Sequence, residues 1–81
     1  MSKQASAAVK AATTLSGVKR QQLAEVLGVT VQGVSDKLSR GRWSADELAK
    51  VATVCGFNLA MVDNSGRVVV SVLPAETQEH Q

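Results

Sequence analysis

The chain has 81 residues, 44% of them hydrophobic, and a formal net charge of +2; that is one small domain. Trp43 and Phe57 are its only aromatic residues, so a core has to rest on Val, Leu and Ala. The single cysteine, Cys55, excludes an intrachain disulfide framework and a cysteine-based zinc site, while the polar run MSKQASAAVKAATT does not read as a signal peptide and no stretch is long enough to span a membrane.

Charge is unevenly placed. Residues 1–42 carry Lys3, Lys10, Lys19, Arg20, Lys37, Arg40 and Arg42 against Glu25 and Asp36, a net +5. Residues 43–81 carry Lys50 and Arg67 against Asp46, Glu47, Asp63, Glu76 and Glu79, a net −3. A basic first half suggests that this half meets a polyanion, although alone the asymmetry is a weak sign.

In chain order, residues 3–15 place Ala5, Ala8, Val9, Ala12 and Leu15 at helical spacing, which predicts a first helix stopped by Ser16-Gly17, with Val18 buried in the connection. Residues 20–27 predict a second helix with Leu23, Ala24 and Leu27 on one face and Gly28 as its left-handed C-terminal residue. Thr30 can cap a third helix over 31–39, whose buried stripe is Val34 and Leu38 and whose end is Gly41. Ser44 and Glu47 form an S-x-x-E capping box, and Trp43 and Leu48 have the spacing of a hydrophobic staple. The helix so started, 45–55, turns Leu48, Val51, Ala52 and Cys55 inward. From Phe57 the pattern changes: residues 57–62 and 67–73 flank DNSG, good turn chemistry, and predict a β-hairpin ended by Pro74. Residues 74–81 read as a flexible tail, in which His80 has no role. The expected fold class is α+β, four helices and then a hairpin, in one domain over 1–73.

Residues 20–38 suit a helix-turn-helix. Ala24 is small where two helices cross, Gly28 stands eight residues after Arg20 where the chain reverses, and Leu23, Leu27, Val29, Val34 and Leu38 supply a shared core. With LAEVLGVT and VSDKLSRGR as the carrying residues, segment 15–55 resembles the lambda Cro and repressor-type helix-turn-helix family. The hairpin resembles the Cro-like arrangement, in which strands after the helices help to make a dimer. The resemblance implies DNA binding, with the third helix in the major groove and the second crossing the backbone. Position by position it places base contacts on Thr30, Val31, Gln32, Ser35 and Asp36, and phosphate contacts on Lys19, Arg20, Lys37, Arg40 and Arg42. Three positions depart from the family's pattern: Arg20 stands for a frequent Gln, Lys19 for the usual Ser, Thr or Asn cap, and Val31 for a polar reader.

Gln32 is the best direct reader, since a carboxamide can be bidentate to adenine. Val31 reads either as a thymine-methyl contact or as a core residue facing the second helix. Gly33 costs about 1 kcal/mol against Ala inside a helix and reads better as a close approach to the second helix than to DNA. Asp36 reads as a cytosine contact or as an i,i+4 partner of Arg40, and Cys55 as a small buried hydrophobe. There is no catalytic His–carboxylate set, no phosphate-cradling Gly-rich loop and no metal-ligand spacing, so neither an enzyme nor a cofactor is expected.

The hairpin is apolar on both faces and leaves an edge, RVVVSVL, that tends to pair. A homodimer through Val68, Val69, Val70, Val72 and Leu73 answers this and would set two reading helices about 34 Å apart on a two-fold operator. The expectation is a cytoplasmic, homodimeric, sequence-specific regulator, a repressor of a phage, plasmid or other mobile element acting on double-stranded DNA by promoter occlusion. The rival is an interaction module, an antirepressor or antitoxin, whose hairpin binds a different protein.

Overall fold

The computed structural model describes residues 3–74, so the tail expected over 74–81 lies outside the described residues except for Pro74, which is buried. The architecture is α+β, four helices followed by a two-stranded antiparallel hairpin: α1 (Lys3–Ser16), α2 (Arg20–Leu27), α3 (Val31–Arg40), α4 (Ala45–Val54), β1 (Leu59–Val62) and β2 (Val68–Val72).

The helices start and stop where local chemistry says they should. Thr30 Oγ1 accepts from the Gly33 amide at 2.9 Å at the head of α3. Ser44 and Glu47 make the reciprocal capping box of α4, the Ser44 amide donating to Glu47 Oε1 at 2.9 Å and the Glu47 amide to Ser44 Oγ at 3.1 Å. Gly28 closes α2 at φ +71°, with its own amide on the Glu25 carbonyl and the Val29 amide on the Ala24 carbonyl. That pair of bonds satisfies carbonyls the helix end would otherwise leave open, and the left-handed residue that permits it is best a glycine.

The core is a cluster of Val9, Leu23, Ala24, Val34, Val51 and Cys55, walled by Ala12, Val18, Leu27, Leu38, Trp43, Leu48 and Val54. Val34 is the pivot at 0% exposure, which fixes α3 against α1 and α2. One expected face is rotated. In α1 the buried residues are Ser6 and Val9, whereas Ala8 is exposed and Leu15 is 79% exposed. Ser6 faces inward, where its Oγ accepts the Trp43 indole N–H at 3.0 Å; this one polar pair holds that side of α1 against the body. In α4 the expected inward side holds, with Val51 and Cys55 buried, Leu48 packed against the core and Ala52 half-buried, and Ala49 is buried as well. Val29, expected in the core, is at the surface.

Both strands are shorter than the sequence suggests. The Phe57 amide donates to the Ala52 carbonyl at 2.8 Å, so its backbone completes the end of α4. Arg67 is held by the turn, where Asp63 Oδ1 accepts from the amides of Ser65 and Arg67 and from the Ser65 hydroxyl. The Ser65 hydroxyl first, then those amides, holds the Asp63 carboxyl below its ordinary value. Pairing runs Leu59 with Val72, Ala60 with Ser71, Met61 with Val70 and Val62 with Val68, which leaves Val69 as an extra residue, a bulge. The period-two alternation of side chains along VVVSV is therefore interrupted at Val69. The hairpin touches α4 through both strands.

Candidate nucleic-acid interface

The α2–turn–α3 unit presents the surface that the sequence singles out. The N-cap of α2 is Lys19, whose ammonium has no lone pair to accept from the free helix amides. One half of a capping box compensates: Gln22 Oε1 accepts from the Lys19 amide at 2.9 Å.

α3 is amphipathic in the sense a reading helix needs. Val34 is buried and Leu38 half-buried, while Val31, Gln32 and Asp36 are exposed and Ser35 is half-exposed. Val31, for which the sequence left two readings open, is 46% exposed and outside the core. Thr30 spends its hydroxyl on the cap. Gln32 Nε2 donates to Asp36 Oδ1 at 3.3 Å, so the partner of Asp36 one turn away is Gln32 rather than Arg40. The close approach at Gly33 is to the turn, not to α2: a Cβ there would lie 3.2 Å from Val29 Cβ and 3.4 Å from Thr30 Oγ1.

The five expected phosphate-facing cations divide. Lys19, Arg20, Arg40 and Arg42 are exposed. Arg20 reaches from α2 to α3, where Nη1 donates to Ser35 Oγ at 2.8 Å, bringing an expected phosphate contact and an expected base contact together. Lys37 is withdrawn. Its ammonium pairs with the Glu47 carboxylate and lies 5.7 Å from the centre of the Trp43 ring, within cation–π range. It faces α4 and the turn before it.

Glu47 is the residue that sequence reasoning placed only as a cap. Partial burial would raise its carboxyl, but the hydrogen bonds from Lys37 and the Ser44 amide, with the Lys37 charge and the Ser44 hydroxyl, outweigh burial and hold it below its ordinary value. Cap, ion pair and indole thus form one chain of contacts, Lys37–Glu47–Ser44 with Trp43–Ser6 beside it, that ties the back of α3 to α4 and α1. The capping box was the one local signal; nothing in the spacing of Lys37 and Glu47 announces that they meet.

No helix of the described residues is long and apolar enough to cross a membrane. No protein-family model, curated protein or solved structure matches this chain.

Proposed function

We propose that this protein is a sequence-specific DNA-binding regulator of the helix-turn-helix kind, homodimeric through its hairpin and acting as a repressor by covering a promoter. The observation that supports this most is the two-sided build of α3. Val34 is locked into the core on one side, while Val31, Gln32, Ser35 and Asp36 stand on the other with Arg20 beside them. A helix held from behind and bare in front is what major-groove reading requires. The exposed cations Lys19, Arg20, Arg40 and Arg42 supply phosphate contacts, which position without specifying. Thr30 and Lys37, already committed to a cap and an ion pair, contribute less than the rest.

Gel retardation on a duplex from the region upstream of its own coding sequence tests this. Tight, strongly salt-dependent retardation against weak binding of random duplex is expected; equal affinity for both removes specificity. Arg40→Ala should weaken all duplexes alike, and Gln32→Ala should relax preference at one base pair.

One observation favours a second reading, an interaction module. Met61, Val62, Val68, Val69, Val70 and Leu73 are all exposed on the hairpin, and a protein partner would cover them as well as a second copy. Sedimentation of the pure protein separates the two: a homodimer supports the regulator, a monomer that gains a partner from a neighbouring gene supports the module.

A further inference from the structure

The bare face of α3 is built from methyl groups, one carboxamide, and the Ser35 hydroxyl and Asp36 carboxylate, which are already hydrogen-bonded to Arg20 and Gln32. Residues 29–36, VTVQGVSD, contain no cation. Val31 is exposed, and Val29 stands beside it at 36% exposure. Gly33 keeps Val29 there, because without a Cβ at 33 the Val29 side chain can rest on the first turn of α3. A valine cannot hydrogen-bond a base edge. The major-groove group that matches it is the thymine C5-methyl. The next residue, Gln32, gives one amide N–H to Asp36 one turn on, which fixes the plane of the carboxamide. Its second N–H and its oxygen remain, the donor and acceptor that fit adenine N7 and the adenine amino group. Guanine is read most often by arginine or lysine at O6 and N7. Lys37 is drawn back onto Glu47, and Arg20, which reaches over from α2, is held by its Nη1 hydrogen bond to Ser35 Oγ.

We infer that α3 reads A·T pairs: the half-site carries a thymine whose methyl meets Val31 and an adenine held by Gln32, with no guanine read by the first two turns of the helix. This rests on the DNA-binding reading above and names the class of sequence that reading leaves open.

The test uses the full chain. Duplexes are selected from a random library, and each thymine of the winning half-site is then replaced by deoxyuridine, which removes only the C5-methyl. Selected half-sites should be A·T at the pairs facing α3. One dT→dU change should weaken binding about fourfold, the weight of a single buried methyl, and that loss should vanish in Val31→Ala, whose folding is checked by an unchanged helical circular dichroism spectrum. Selected half-sites with G·C at those pairs, or wild-type binding indifferent to every dT→dU change, would overturn the inference while leaving DNA binding intact. A library from which no sequence is enriched would overturn both.

Discussion

The helical body and the hairpin differ in where their apolar residues end up. In the body Val9, Leu23, Val34 and Val51 come one from each helix, with Cys55 just past α4, and α2 and α3 supply the two largest fully buried side chains, Leu23 and Val34. In the hairpin nearly every large apolar residue is left outside, Val69 at 68% being the extreme. The body therefore closes its own core, and its stability is intramolecular. The hairpin buries little against α4, and a lone two-stranded hairpin is marginal. Its apolar surface gains most by meeting something else.

Substitutions can break this contrast, and the largest effect belongs to the body. Leu23→Ala should cost about 3 kcal/mol of unfolding free energy in a urea titration, as for a fully enclosed Leu; a cost under about 1 kcal/mol would mean that the body is not the self-sufficient unit. Ser44→Ala removes the cap of α4 and should cost about 1 kcal/mol, measured as a lowered Tm.

Acid acts next. The carboxyls of Glu47 and Asp63 are both depressed in the folded chain. Such groups stabilise fully above their unfolded values, and the contribution is lost as pH falls through the folded ones. Tm should thus hold steady down to the ordinary carboxylate range and decline below it. Glu47→Gln should flatten part of that decline, because an amide has no proton to take up. An unchanged acid limb would remove Glu47 from the network that holds Lys37.

The smallest effect on the body should come from the hairpin. Val69→Asp should shift its unfolding free energy by no more than about 0.5 kcal/mol, as expected of an exposed site, while abolishing the proposed homodimer in sedimentation. A destabilisation of several kcal/mol would show instead that the hairpin is part of the core.

The same contrast explains what the sequence made legible. Caps and stops are local chemistry, so Thr30, Gly28 and the Ser44–Glu47 box placed the helix limits within one residue. The rotation of α1 was not legible, because an Ala-rich helix has small residues on every side. Ser6 faces inward onto Trp43, 37 residues away. Lys37 looked like a surface cation until α4 brought Glu47 to it. VVVSV carries no mark of the bulge at Val69, since identical side chains give no register of their own. The candidate face of α3 was legible in membership and not in pairing: the Gln32–Asp36 and Arg20–Ser35 bonds emerge only from the folded chain.

The front of α3 is proposed to meet DNA while the hairpin stays clear of it. Backbone amide chemical shifts, recorded as a selected duplex is titrated into the full chain, test it most directly. The expected result is that the largest changes fall on residues 30–36 and near Arg20 and Arg40, with residues 59–73 little moved. Changes concentrated on the hairpin, or no change at saturating duplex, would contradict it.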